Sequence, residues 1–217
     1  MSMRMSWRLA SRLSVITLAV IVVILITVIQ HNRATPSSPS SSSSGTSTSA
    51  SGLQGTDLNG TPAPNFQLTD QYGKTVSLAQ FRGKPVVVTF LYTHCPDVCP
   101  LTAEHLHTTL QQLGSDAKNV AILAVSTDPK RDTTAEALKF STEHNMQDYW
   151  HFLTGTQQQL SPIWSSYSIY AQQQQQKVNH SSALYVIDKK GNERVYMGDD
   201  FDPAQMAGNL KQLLKEN

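Results

Sequence analysis

The stretch Val86-Val-Val-Thr-Phe-Leu-Tyr92, followed at once by Thr93-His-Cys-Pro-Asp-Val-Cys-Pro100, decides how this chain folds. A run that is apolar on both faces reads as a central strand buried on both sides. Pro100 suits the first helical position, where a missing N–H costs nothing, and predicts a helix starting at Cys99. In α/β sheets, sites gather beyond the carboxyl ends of the strands, and Cys95 falls at such a place. Cys95 and Cys99 are the only 2 cysteines of the chain. They have three uses open to them: one local disulfide, dithiol electron exchange, or two soft ligands for a metal.

Working outward from that strand, the chain reads as alternating strands and helices. Phe66-Gln-Leu68 and Thr75-Val-Ser77 flank Asp70-Gln-Tyr-Gly73, a hairpin turn. The helix after Cys99 carries Leu106, Leu110 and Leu113 on its inner stripe, and Val120–Val125 is the next buried strand. Thr133-x-x-Glu136 and Thr156-x-x-Gln159 have the form of capping boxes that open two more helices. The second of these carries the apolar face Leu160, Ile163, Trp164 and Tyr167. The Gln172–Gln176 run reads as a solvated loop. Ala183–Ile187 is a further strong strand, turning at Lys189–Asn192 into a weaker one, and Met206, Leu210, Leu213 and Leu214 mark a closing amphipathic helix. This order predicts an α/β fold with parallel central strands.

The N-terminus sets the compartment. Leu13–Ile29 is uncharged and apolar apart from Ser14, Thr17 and Thr27, with Arg4, Arg8 and Arg12 before it and Arg33 after it. The run comes close to spanning a hydrocarbon core of ~30 Å, and the arginine excess favours a cytoplasmic N-terminus. A cleaved signal peptide and a mitochondrial presequence are the competing readings. Residues 1–12 then form a short cytoplasmic segment, 13–29 one transmembrane helix, and 30–55 a Ser/Thr/Pro-rich tether. Residues 56–217 are one extracytoplasmic domain, periplasmic at an inner membrane, and a mitochondrial inner membrane is the second location considered. The tether lacks the apolar residues that would offset its ordering entropy. A net charge of +1 gives no footprint for nucleic acid.

Amide groups at a helix N-terminus stabilise thiolate, which is both the nucleophile of disulfide exchange and a soft-metal ligand. One helical turn puts the two thiols within disulfide reach, and so short a loop gives a bridge little stabilising entropy. Thioredoxin-type motifs have one residue fewer between their cysteines. Spacing alone leaves metal binding and redox exchange both open. Of the 7 histidines, His31 lies in the tether, and His105 and His107 sit on different faces of a helix and read as solvated. His144 and His151 read as structural, and His94 shapes the cysteine loop. His180 stands in a loop just before Ala183–Ile187.

Four segments occur in order: Tyr92-Thr-His-Cys-Pro-Asp-Val-Cys-Pro100, Ser126-Thr-Asp-Pro-Lys-Arg-Asp-Thr133, Leu153-Thr-Gly-Thr156 and Val178-Asn-His-Ser-Ser182. Together they resemble the Sco/SenC family of membrane-tethered copper proteins, over nearly the whole exported domain. The resemblance implies a thioredoxin-like fold with an added N-terminal β-hairpin, preceded by one transmembrane helix. It also implies a copper site, for Cu(I) or Cu(II), built from Cys95, Cys99 and His180. The chain departs from the family pattern at Asn179, where the family usually has Asp. Two thiolates and an imidazole suit soft Cu(I), whereas a structural zinc site wants four protein ligands.

By the same resemblance, the function is copper delivery to the binuclear centre of cytochrome c oxidase. The recipient is its copper-bearing second subunit, other copper carriers or thiol reductants are further partners, and no enzymatic step is needed. The alternative is a thiol–disulfide reductase that uses Cys95 and Cys99 to keep the recipient's cysteines reduced. A copper or redox sensor is a third reading, without an appended signalling domain to support it. Asp128, Arg131 and Asp132 divide between turn chemistry and a role beside the site. Met146, Met197, Met206, Trp150 and Trp164 read as packing residues.

Overall fold

A computed structural model describes residues 20–25, 52–174 and 177–216. Residues 20–25 are helical and solvent-exposed. They are the only described part of the expected membrane span 13–29; the rest of that span and residues 1–12 and 30–51 lie outside the described residues. Among the described residues no helix is long and apolar enough to cross a membrane.

The folded body is built on one six-stranded sheet. At its centre β4 (Val86–Leu91) pairs in parallel with β5 (Ala121–Ser126), which pairs in parallel with β6 (His151–Leu153). On the other side of β4 the strand β9 (Leu184–Ile187) runs antiparallel, then β10 (Asn192–Met197), then β1 (Thr56–Pro62). β2 (Gln67–Thr69) and β3 (Thr75–Ser77) form the expected separate hairpin, its turn fixed by Asp70 Oδ1 accepting from the amides of Tyr72 and Lys74.

Burial alternates along β4 as a two-residue period requires. Val87 and Leu91 enter one core, and Val86, Val88 and Phe90 the other. The first core is closed by α1 (Val98–Leu113), α2 (Thr134–Glu143) and α4 (Pro203–Lys215), through Leu106, Phe140 and Leu210 among others. The second is closed by α3 (Gln157–Ser166) and the β2–β3 hairpin, through Leu160, Trp164 and Leu68. This is the thioredoxin-like α/β architecture that the resemblance implies, with the hairpin laid on one face. The exposed side of β6 is closed by Gln71, whose Oε1 accepts from the Phe152 amide at 2.8 Å and whose Nε2 donates to the Trp150 carbonyl at 2.9 Å. A side-chain amide there takes the place of a neighbouring strand.

Several expectations shift. α1 begins at Val98, with Pro100 two residues further in, still inside the first turn where no N–H is required. Of the two expected capping boxes, that of Thr156 and Gln159 closes in both directions, whereas Thr133 accepts from the Glu136 amide without the return bond. The body reaches back past Thr56: Leu53 is fully buried, and Gln54 exchanges two 2.8 Å hydrogen bonds with the Asn209 side chain. Most consequential is the glutamine run. Ala171–Gln174 is strand β7, paired antiparallel with β8 (Lys177–His180). A polar stretch with no apolar alternation gives no strand signal, and it is the backbone ladder that holds it.

Candidate metal centre

Two pieces of chain converge beyond the carboxyl end of β4. The first is the loop from Tyr92 into α1. Cys95 lies in it, half-buried, with its amide donating to the Tyr92 carbonyl at 3.3 Å. Asp97 is the residue before α1, exposed and making no side-chain cap. The cap is supplied by sulfur instead, since the Cys99 amide donates to Cys95 Sγ at 3.4 Å. Cys99 itself is the second residue of α1, fully buried among Leu91, Ala103 and Val178. Both thiols are free.

The second piece is the end of β8. His180 stands opposite Ala171 in the β7–β8 ladder, a strand terminus rather than a loop residue. Its Nε2 lies 4.0 Å from Cys99 Sγ, and its Nδ1 lies 3.0 Å from the Ser181 carbonyl. A carbonyl can only accept, so Nδ1 carries the proton and Nε2 turns its lone pair toward the thiols. Orientation of a ligating imidazole through its far nitrogen is usual at metal sites. Asn179, where the family pattern has Asp, is exposed and paired with Gln172. The ring is therefore set by backbone, not by the residue before it. Tyr92, buried, meets the His180 ring edge-to-face, with centroids 5.4 Å apart at 88°.

The two thiols are driven in opposite directions. Cys95 is held down to about 3, chiefly by the hydrogen bond from the Cys99 thiol; burial opposes this, and the amides of Asp97 and Cys99 add to it. Cys99 is pushed up, first by burial, then by its bond to Cys95 and the charge there, with the Asp132 carboxylate adding to the shift. Tyr92 is pushed up to about 12 by burial and by the charge on Cys95. The pair thus holds one negative charge, on the more accessible sulfur. Alkylation of Cys95 is expected to proceed at nearly the same rate at pH 5 as at pH 8, because its thiolate is already formed. Cys99 should stay unmodified throughout. Mass-spectrometric mapping of the alkylated chain checks this, and a rate that climbs tenfold per pH unit would contradict it.

Two thiols and an imidazole are donor types that soft metals, copper among them, accept. At the bond lengths typical of zinc, ~2.3 Å to thiolate and ~2.0 Å to imidazole, one metal ion holds two such donors roughly 3.5–4 Å apart. The Cys99–His180 separation of 4.0 Å meets that span. Among the described residues no three His, Cys, Asp or Glu side chains already surround a single point. The two thiols and the ring stand next to one another as neighbours, not as a closed cage.

The other candidates fall elsewhere. His94 is exposed, its Nδ1 2.8 Å from Thr93 Oγ1. His105 and His107, expected in solvent, are half-buried against Phe201 and Tyr149. His144 packs on Phe140, and His151 pairs with the buried Asp70 at 3.0 Å. Met146, Met197, Met206, Trp150 and Trp164 are all buried in the core. His31 lies outside the described residues. Asp132 and Arg131 turn out to serve the site's frame. Asp132 accepts from the Thr93 amide at 3.0 Å, from Thr93 Oγ1 at 2.7 Å and from Ser126 Oγ at 2.6 Å, so it ties the cysteine loop to the end of β5. Arg131, bonded to Asp128, lies over the Tyr92 ring at 5.8 Å. No local pattern marks Tyr92 for this place, because its partner ring belongs to a distant segment.

Comparison with known proteins gives a consistent picture. The SCO1/SenC family model matches residues 55–215. The mitochondrial SCO2 homolog of Bos taurus is 33% identical over 138 residues, covering 58% of this chain and 50% of that protein. The chain thus spans about half the length of that relative. The SCO1 protein homolog of Bacillus subtilis is 28% identical over 159 residues, covering 67% of this chain and 82% of its own length. Among solved structures, copper-bound ScoI of Bradyrhizobium japonicum superimposes with a TM-score of 0.64 at 32% identity, over 70% of this chain and 99% of that one.

Proposed function

This chain belongs to the SCO1/SenC family, and from that premise we propose that it is a copper-binding metallochaperone whose ligands are Cys95, Cys99 and His180. The observation that carries the reading is the imidazole: Nε2 of His180 faces Cys99 Sγ at 4.0 Å while Nδ1 is held by backbone. A thiol–disulfide exchanger has no need of a fixed nitrogen lone pair beside its buried sulfur. The Bradyrhizobium relative, solved with copper bound, supports the choice of metal.

Copper is the cargo here. Three ligands leave room for an incoming thiolate of the recipient, so transfer proceeds by ligand exchange, with the ion shared between donor and acceptor before Cys95 releases it. Cys95 is the natural leaving ligand because it is the more accessible of the two thiols. The recipient is the copper-bearing second subunit of cytochrome c oxidase, for which the delivered ion completes the binuclear centre. Residues 13–29 anchor the chain in the membrane, and the tether that follows raises the domain's effective concentration at that membrane face.

The test is copper retention as a function of thiol state. The reduced chain is expected to keep one copper per molecule through dialysis, and the Cys95–Cys99 disulfide form none. Copper-free protein in both cases would remove the chaperone reading.

One observation favours a reductase role alongside it: the low-pKa, accessible Cys95 beside the high-pKa, buried Cys99. The Cys95 thiolate would attack one sulfur of a recipient disulfide, breaking that bond and forming a mixed disulfide. Cys99, giving up its proton to the departing thiolate, would then attack Cys95. The recipient leaves as a dithiol and the chain as its own disulfide, to be reduced again by an external dithiol. That role predicts turnover without copper.

A further inference from the structure

At the pole opposite the thiols the surface carries a cleft. β4 starts there and ends at the cysteine loop, so the two are separated by the length of that strand, about 20 Å. The cleft has a volume of about 610 Å³, and Lys84, Lys189, Lys211 and Lys215 line it, with Asp116 its one acid. Its lysines come from three separate segments: the turn before β4, the turn after β9, and the last two turns of α4.

This concentration runs against the composition of the domain. From residue 56 to residue 217, acids outnumber basic side chains 16 to 13. A random draw from that set would make the cleft neutral or slightly acidic. Two of the lysines are built into its walls: Lys189 Nζ donates to the carbonyls of Leu214 and Glu216 at 2.8 Å each, and Lys84 Nζ donates to the Lys118 carbonyl at 3.2 Å. Lys211 and Lys215 are exposed, four residues apart on one face of α4, a helix without a single acid. Like charges at that spacing repel, and neither lysine forms an ion pair with a described residue. The carbonyl end of α4 accounts for Lys215. It does not account for four ammonium groups around one ligand-sized cleft.

We propose that this cleft is a binding site for a phosphate-bearing anion, held by Lys84, Lys189, Lys211 and Lys215. Lysine acts on phosphate as a point charge and needs no fixed geometry, which suits a cleft whose two outer lysines are exposed and whose two inner ones are held by backbone carbonyls. The same chemistry is offered by a soluble polyphosphate and by the headgroup of an anionic phospholipid. A lipid headgroup would turn the thiol–imidazole pole away from the membrane surface.

The experiment uses the full chain with two probes that carry the shared group: inorganic pyrophosphate and a short-chain, water-soluble phosphatidylglycerol. Amide shifts in NMR are followed for Gly83, Asn119, Lys211 and Leu214. The double variant Lys211→Glu/Lys215→Glu is compared with a charge-matched control, Lys130→Glu/Lys139→Glu. Saturable shifts confined to the cleft, weakened at least tenfold in the first variant and less than twofold in the control, are expected. Tighter binding of the lipid than of pyrophosphate assigns the membrane as the source, and the reverse order assigns a soluble phosphate. Shifts spread over all lysines, or equally weakened by both variants, would reduce the effect to charge screening and overturn the proposal, as would the absence of shifts with either probe.

Discussion

His180→Ala is expected to lower the affinity of the reduced chain for copper by at least ~100-fold, since loss of a partner that merely orients a ligand already costs about 10–100-fold. The fold should survive. The ring is half-buried at the end of a two-stranded ladder, and its chief contact is the edge-to-face packing on Tyr92, worth about 0.5–1.5 kcal/mol. Backbone pairing with Ala171 does not depend on the side chain. Melting temperature should therefore fall by only a few degrees, while competition with a Cu(I) chelator reveals the loss. The same variant separates the two roles of the dithiol. Copper-free reduction of a disulfide substrate should persist, because Cys95 and Cys99 remain. If His180→Ala binds copper as the parent does, the ligand set proposed here is wrong.

Asp132→Ala carries the largest expected cost in stability among residues near the site. The carboxylate is 4% exposed and accepts three hydrogen bonds that join the cysteine loop to the end of β5. Alanine leaves the amide of the half-buried Thr93 without its acceptor, at about 1–3 kcal/mol, and removes two hydroxyl bonds that can turn elsewhere. A total of about 2–4 kcal/mol is expected from urea denaturation. The pH dependence has a definite sign. Burial raises the pKa of Asp132 above its ordinary value of 3.8. A raised carboxyl contributes most below its unfolded pKa and loses that contribution as pH rises through its folded one. The difference between parent and variant should then be larger at pH 4 than at pH 8. A difference that grows with pH would mean the charged form is the better fit. Asp132→Asn keeps an acceptor for Thr93 and should recover part of the loss.

Much of this molecule was legible in local pattern. The β2–β3 hairpin, the buried strands at Val86 and Ala121, the inner stripe of α1 and the face of α4 all follow from short-range periodicity. Each is decided by residues within a few positions of one another, where the side chain's direction is set by the backbone repeat. The position of Cys95 beyond a strand's carboxyl end followed from the same logic. Errors gathered where pairing is non-local. Gln172–Gln174 lie in β7, where their backbone pairs with Lys177–Asn179, while Gln175 and Gln176 lie outside the described residues. Leu53 stands near the end of a polar stretch that reads as a tether, yet it fills a place in the core.

The sequence by itself determined which atoms are available: two thiols one helical turn apart at a helix start, and one histidine before a late strand. Spacing and local pattern could not determine that they meet, which only the family resemblance implies. That depends on β9 lying antiparallel beside β4, which carries the end of β8 across to the cysteine loop. Nor could it give the two sulfurs their opposite character. The same thiol group is stabilised as an anion at Cys95 and suppressed at Cys99 because one accepts hydrogen bonds at the rim while the other is sealed in an apolar core near a carboxylate. Burial and long-range proximity are properties of the assembled fold, and the reactivity of this site is set by them.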